Sequence, residues 1–432
     1  MNRNILRLAI PNIISNITVP LLGMVDLVIM GHLDSEKYLG AIALAGIIFN
    51  FIYWGFSFLR MGTSGFTAQA FGQNDLSKLS AILRHSLLIA LAGGMLLIIF
   101  QYPIQKLGFY FLDGSEQLET LAIQYFYIRV FAAPATIGLY ALNGWFVGMQ
   151  DAKIPMTLAI LINVFNILLN LIFVYGLGLK SDGVALGTLI AQYLGFGLAF
   201  YFIYKKYRTY FRINDLVKRV DLELFKDLFD VNKNIFIRTM VLISVISFFT
   251  MKSAQISDRI LAVNTILLQY LILFSFIMDG FAYSAEALAG KYFGAKDKTS
   301  LMKLLKSIFV WGSLLSVFFT VIYILFQNEL LYLLTSNEEL ISSAKPYLFW
   351  ISLIPLASFA GFLWDGIYIG TTASKAMRNT MLFSAGLFFF PVYYFFIDKI
   401  FNHALWLSMI LFLLARGISQ SIYVRNAIWK RF

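Results

Sequence analysis

Long apolar runs recur along the whole chain, separated by short polar stretches. Their approximate cores are 8–31, 41–71, 80–105, 117–149, 155–178, 183–205, 228–252, 259–290, 302–333, 344–370, 377–398 and 402–425. Each is long enough to cross a hydrocarbon core of about 30 Å as a helix. None shows the strict apolar–polar alternation of a lipid-facing strand. Backbone in lipid must satisfy its own hydrogen bonds, so the pattern predicts a helix bundle. The expected fold is an all-α integral membrane protein with twelve transmembrane helices. Several runs exceed the ~20 residues needed, which predicts tilted or projecting helices.

The pattern also repeats. Asn143-Gly144-Trp145-Phe146-Val147-Gly148 reads against Asp365-Gly366-Ile367-Tyr368-Ile369-Gly370, an offset of 222 residues, and Lys153 falls on Lys375. At the same offset Phe71-Gly72 falls on Phe293-Gly294, Asp75 on Asp297, and Asn12-Ile13 on Asn234-Ile235. A constant offset over most of the chain predicts two homologous halves, each with six spans. The expected division is an N-lobe over 1–205, a linker over 206–227 and a C-lobe over 228–432. An even number of spans per half makes the repeats parallel, with their axis along the membrane normal. Two pseudo-symmetric six-helix lobes around a central cleft follow as the expected plan.

Composition agrees with a membrane chain. Of 432 residues, 59% are hydrophobic and 13% charged, where a soluble domain carries roughly 25% charged residues. Mean hydropathy is +0.76. The net charge of +11 is unevenly placed. With the N-terminus in the cytoplasm, the inner loops collect Arg3, Arg7, Lys78, Lys153, Lys205, Lys206, Lys375, Arg378, Lys430 and Arg431, among others. The outer loops hold Lys37, Lys106, Lys180, Lys252, Lys345 and Lys399 among few. The excess of roughly three to one sets both termini inside by the positive-inside rule. Inner-loop basic residues facing anionic lipid account for the charge without a nucleic-acid partner. Met1 to Arg7 runs straight into the first span with no small-residue cleavage site, so no cleaved leader is expected. There are no cysteines, which excludes disulfides and thiolate chemistry.

Four stretches resemble one family. Ile10-Pro11-Asn12, then Pro20-Leu21-Leu22-Gly23-Met24-Val25-Asp26, then Gly31-His32 is similar to the first span of multidrug and toxic compound extrusion (MATE) transporters. Phe58-Leu59-Arg60-Met61-Gly62-Thr63, Asp279-Gly280-Phe281-Ala282 through Glu286-Ala287-Leu288, and Trp364-Asp365-Gly366 through Lys375-Ala376-Met377-Arg378-Asn379 resemble the DinF-like branch. The resemblance covers nearly the full length. It implies an antiporter in the plasma (inner) membrane that exports amphipathic, often cationic, organic compounds by alternating access. Inward H⁺ or Na⁺ flow drives it, with no cofactor. A monomer embedded in lipid is expected.

Asp26 lies deep in the first span, where a lone charge costs at least ~2.5–3.5 kcal/mol. Either it is paired or near headgroups, or it titrates, since burial disfavours the anion. The resemblance makes it the coupling carboxylate. Asn163, Asn166 and Asn170 are spaced three and four apart and share one helical face. The resemblance groups Asn166, Asn170 and Thr188 with the first-span aspartate as an ion site; interhelical hydrogen bonding alone is the plainer reading. Relatives often carry a second aspartate where this chain has Asn170, so H⁺ is expected over Na⁺ as the coupling ion. Pro11 and Pro20 each remove a helical hydrogen bond, giving either a fixed kink or a first span that bends with Asp26.

The second half places charges where the first has none: Asp365, Asp279 and Arg238 stand against Asn143, Ser57 and Asn16. With Glu286 and Arg416 they read as a structural ion network, or as a second proton or substrate site at Asp365, Glu286 or Asp279. Tyr53, Trp54 and Asn143 are candidate substrate-lining residues; aromatic rings bind cations over their faces, although most of the 43 Phe read as lipid-facing or core. The three histidines lie apart, so no metal cluster is expected, and no phosphate-binding Gly-rich Lys-Ser/Thr loop is present. An intramembrane enzyme would need converging His or paired carboxylates with a nucleophile, which do not appear. A passive channel would not need the repeat. The alternative reading is a lipid-linked precursor flippase of the same wider superfamily, which calls for a cationic cleft where this chain places Asp26.

Overall fold

The computed structural model describes residues 1–31, 36–112, 115–209 and 221–432, apart from the side chains of most residues between 19 and 31, Pro20 and Asp26 included. Those residues are helical nearly throughout, with no strand among them. The first half holds α1 (Asn2–Gly31), α2 (Glu36–Gly72), α3 (Leu76–Ile99), α4 (Gln101–Leu112), α5 (Glu116–Arg129), α6 (Ala133–Gly148), α7 (Lys153–Leu171) and α8 (Ser181–Tyr207). The second holds α9 (Leu222–Ile256), α10 (Asp258–Gly294), α11 (Lys298–Leu325), α12 (Gln327–Leu334), α13 (Glu338–Ala344), α14 (Leu348–Gly370), α15 (Ser374–Ser384), α16 (Phe390–Ile400) and α17 (Asn402–Ala427). From Lys37 onward, eleven helical stretches are long and apolar enough to cross a bilayer, and α1, with 30 residues, is the twelfth.

Two of the expected spans are shorter than the apolar pattern suggested. The runs 80–105 and 302–333 break at Phe100 and Phe326, and short helices α4 and α12 follow. Both are exposed, with Tyr110 and Leu333 among their uncovered apolar residues. Apolarity continues through the break, so hydropathy alone does not show it. The polar stretch expected as a linker over 206–227 begins in α8 and ends in α9; its centre, 210–220, lies outside the described residues.

Packing divides the chain into two compact units. One is Ile14–Phe229; the other is Met1–Ile13 with Asp230–Phe432. The first thirteen residues therefore pack with the second half, although the sequence placed all of span 1 with the first. The Ser284 hydroxyl donates to the Ile5 carbonyl at 3.0 Å, and the bare backbone of Gly280 receives Ile13 and the Ala9 carbonyl. Pro11 sits just before the changeover, inside a helix that runs unbroken from one unit into the other.

The repeat read from the sequence is present atom by atom. In the first unit Gly144 and Gly148 of α6 lie against the carbonyls of Arg60 and Ser64 on α2; in the second, Gly366 and Gly370 of α14 lie against those of Ala282 and Glu286 on α10. Each partner is 222 residues from its counterpart. Small residues four apart let two helix backbones approach closely in the absence of any hydrophobic drive between helices in lipid. The loops repeat too. Asn74 and Lys296, and Gln150 and Thr372, all have positive φ. Each is followed by an amide reaching five residues back, such as Asp151 to Phe146 at 3.0 Å and Ala373 to Tyr368 at 2.7 Å, the pattern of a Schellman turn. Asp75 and Asp297 cap the next helices, accepting from the Lys78 and Ser300 amides.

One loop differs between the halves. Asp151 is buried, and its Oδ1 accepts from the amides of Lys153 (3.1 Å) and Ile154 (3.4 Å) at the start of α7. Its Oδ2 accepts from the Tyr207 hydroxyl at 2.7 Å and from Lys206. Burial alone would raise the Asp151 carboxyl, but the hydrogen bonds from Lys206 and Tyr207 outweigh it and hold it below the ordinary carboxylate range. Nearby, His85 accepts the Asp221 amide on Nε2 at 3.1 Å and pairs Nδ1 with the Ala81 carbonyl at 2.5 Å. That places its proton on Nδ1 and ties the start of α9 to α3.

The glycine contacts make a signed prediction. Gly144→Ala and Gly366→Ala each drive a methyl into backbone that has no rotamer to yield, and should cost about 1–3 kcal/mol. Gly46→Ala, in open space, should instead gain up to about 1 kcal/mol of helix propensity. Melting temperatures in detergent decide it; equal effects at the three sites contradict the close packing.

The Asp151 contacts predict a pH dependence. A carboxyl depressed by folding stabilises above its unfolded pKa, near 3.9, and loses that contribution as pH falls through the lower folded value. Asp151→Asn should therefore lower the melting temperature at pH 5 and above. The gap to the native protein should close below about pH 4. A gap independent of pH down to pH 3 would assign the effect to packing.

Candidate functional site

In the first unit the expected polar face of α7 is built. Asn170 donates from Nδ2 to Asn166 Oδ1 at 3.1 Å, Asn166 donates from Nδ2 to Thr188 Oγ1 at 3.0 Å, and the Thr188 hydroxyl donates to the Val184 carbonyl at 2.9 Å. Asn166 and Asn170 are buried. Gly187 of α8 makes room: any side chain there would strike the Asn170 amide oxygen. Three of the four expected polar partners are thus joined in one directed chain between α7 and α8. A single-turn π-helix, Ile172–Gly176, follows immediately, a feature frequent at functional sites.

Asn163 does not join that chain. Its Nδ2 donates to the Thr18 carbonyl of α1 at 3.1 Å, and further along the Tyr175 hydroxyl donates to the Ile29 carbonyl at 3.2 Å. The two ties hold α1 alongside and parallel to α7. Asp26 follows Thr18 by as many residues as Leu171 follows Asn163, so the α1 backbone at Asp26 runs level with Leu171, the residue after Asn170. The Asp26 and Pro20 side chains lie outside the described residues.

The candidate lining residues separate. Tyr53 stacks on Phe49 at 5.7 Å, Phe49 stacks on Phe126 at 5.1 Å, and the Arg129 guanidinium lies 4.8 Å over Phe49. Tyr53 thus belongs to a packed α2–α5 stack with a resident cation. Trp54, 56% exposed, points out of the stack. Asn143 is half-buried, and among the described residues no donor reaches its Oδ1.

The corresponding position in the second unit, Asp365, is saturated. Its Oδ2 accepts from Arg238 of α9 and Arg416 of α17, and its Oδ1 from Gln420 Nε2 at 2.6 Å. Asp365 is 5% exposed and Arg416 2%. Asp279 on α10 is half-buried and within electrostatic reach of Arg416. Arg238 and Arg416 thus face Asp365 directly, with Asp279 as a further carboxylate near Arg416. Glu286 is fully buried on α10, two turns beyond Asp279. Among the described residues no group of three His, Asp or Glu side chains is placed to hold a metal.

The MatE family model matches residues 11–172 and 236–395. The chain belongs to the MATE family of transporters. It is similar to the DNA damage-inducible protein F of Escherichia coli K12, with 34% identity over 98% of this chain and 91% of the relative. A probable multidrug resistance protein NorM of Thermotoga maritima is 21% identical over 88% of this chain and 80% of its own length. A MATE transporter crystallised in its bent conformation shares the fold at a TM-score of 0.90, with 21% identity over 100% of this chain and 96% of its own. The family and the DinF-like resemblance expected from the motifs are both shown, as is the twelve-helix fold.

Sequence reasoning missed Gln420 and Tyr175. Gln420 follows Arg416 by four residues on α17, so the two share a face, and that spacing was the available signal. Tyr175 stands in the π-helical turn, where regular helical spacing fails. A second buried group was also missed: Asn264 donates to Ser253 and Asn402, both at 2.7 Å, and accepts from Trp406 Nε1 at 2.9 Å. It joins α9, α10 and α17 within the MATE fold.

Breaking the Asp365 clamp strands two buried guanidinium groups. Asp365→Asn should therefore destabilise the protein by about 3–5 kcal/mol. The double variant Asp365→Asn with Arg416→Met should recover part of that loss. Thermal melts of the purified single and double variants test it; a single variant as stable as the native protein contradicts a structural role.

Proposed function

We propose that this MATE transporter is a proton-coupled antiporter that exports amphipathic, often cationic, organic compounds, with Asp26 as the coupling carboxylate. It lies in the plasma membrane as a monomer with both termini in the cytoplasm, and works by alternating access. The observation that carries this reading is the directed hydrogen-bond chain from Asn170 through Asn166 to Thr188, on the helix tied to α1 at the height of Asp26. DNA damage-inducible protein F and the NorM proteins supply the branch and the multidrug class.

The chain also bears on the ion. The Asn166 and Thr188 oxygens already accept internal hydrogen bonds. Na⁺ would have to share these oxygens with the amide protons they already accept, which weakens their hold on a cation. A proton on Asp26 requires no such sharing, and Asn170 contributes no second negative charge for a hard cation. In the second unit, Asp365 has both oxygens engaged by its own arginines and Gln420, so it offers no open carboxylate. We assign coupling to Asp26 of the first unit, and Glu286, fully buried on α10, and Asp279 stay the candidates for a second site in the other unit. The positive-inside rule supports the topology.

Asp26→Asn should fold, reach the membrane, and lose gradient-driven efflux of a cationic dye by at least tenfold, about 1.4 kcal/mol. The assay is accumulation of the dye in everted vesicles, whose lumen stands for the cell exterior, energised by an acid-inside pH gradient, with melting temperature as the folding control. Efflux at the native rate by Asp26→Asn would remove this residue from the mechanism.

A further inference from the structure

The loop between α14 and α15 holds a cavity of about 320 Å³ lined by Asp230, Thr372, Ser374, Lys375, Asn426 and Arg431, among others. Its backbone is the turn that Asp151 occupies in the other half, with the same positive-φ residue and the same five-residue-back amide. The residue at the Asp151 position is Ala373, and the first turn of α15 has no side-chain cap. In the first half the equivalent spot holds a carboxylate bound by two helix amides, a lysine and a tyrosine hydroxyl. In the second half the helix start remains and the carboxylate does not; Ile428 and Trp429 stand where Lys206 and Tyr207 would be, and the cations at the cavity are Lys375 and Arg431 instead. Lys153 is kept as Lys375, and Arg431 donates to the Thr371 carbonyl at 2.9 Å and to the Thr372 hydroxyl at 3.2 Å. Asp230 also faces the cavity; it pairs with Lys375 at 3.2 Å, and both side chains are at least half exposed.

We infer that this cavity binds the phosphate of an anionic phospholipid headgroup, in the place that the Asp151 carboxylate fills in the first half. Helix N-termini and clustered cations both favour an anion. The cavity lies where the spans built on α15 and α17 end, at the depth of headgroups, where basic pockets between spans take anionic lipids. Its wall continues into an acyl-chain track. Leu414, Ile418, Ile422 and Asn426 follow each other at four-residue spacing on α17 and so form one stripe. Asn426 lines the cavity, while Ile418 and Ile422 are 57% and 71% exposed. A free phosphate would have no use for that stripe.

The test is thermal melting of the purified full chain in neutral detergent, titrated with phosphatidylglycerol, phosphatidylcholine or inorganic phosphate. Phosphatidylglycerol should raise the melting temperature at concentrations where the other two do not. Ala373→Asp installs the first half's own carboxylate. It should melt higher than the native protein without lipid, and need about tenfold more phosphatidylglycerol for the same shift, a change of about 1.4 kcal/mol. Ala373→Asn, of the same size but neutral, should keep most of the lipid response. Lys375→Ala, at an exposed position, should weaken the response severalfold and serves if Ala373→Asp does not fold. Equal stabilisation by phosphatidylcholine or by inorganic phosphate overturns the assignment. So does an undiminished phosphatidylglycerol response in folded Ala373→Asp or in Lys375→Ala.

Discussion

A charge in hydrocarbon has no water to turn to, and this constraint sorts the acidic residues of the chain into two kinds. Asp365 is met on both oxygens by side chains of α9 and α17, so its charge is answered inside the protein. That clamp joins three spans of the second unit and depends on α14 packing tightly enough on α10 to hold the carboxylate in place. The bare glycines at 366 and 370 provide that fit. The first unit uses the same backbone contact at Gly144 and Gly148 but sets Asn143 where the clamp would be. Its polar chain lies on α7 and α8.

The two halves therefore share a skeleton and differ in how they settle charge. Where one half keeps a carboxylate, the other has a neutral residue: Asn143 against Asp365, and Asp151 against Ala373. The first substitution gives the second half an ionic clamp that the first half lacks, beside the Asn264–Asn402–Trp406 group. The second leaves a helix start in that half without its internal anion.

Much of this was legible in the sequence, and the reasons for what was not are physical. Hydropathy located the spans because a bilayer admits little else, and the 222-residue offset carried through to the glycine contacts, the helix caps and the positive-φ turns. Helical spacing put Asn166 and Asn170 on one face with Asn163, which meets α1 instead, while Thr188 came from the family resemblance; the ion network around Asp365, Arg238 and Arg416 was expected from the cost of burying any of them alone, together with Asp279 and Glu286. The breaks at Phe100 and Phe326 were hidden because apolar residues continue through them. The packing of the first thirteen residues with the second unit was hidden because a helix carries no mark of which neighbour it meets. Tyr175 escaped because it stands in a π-helical turn, off the regular period.

The central claim is that one carboxylate, supported by amide and hydroxyl groups that are already hydrogen-bonded, couples export to protons. Dye efflux from proteoliposomes under an imposed Na⁺ gradient at constant pH, and under an imposed pH gradient without Na⁺, tests it most directly. The account predicts efflux with the pH gradient and a weak response to Na⁺. Strong Na⁺-driven efflux in the presence of a protonophore would contradict it.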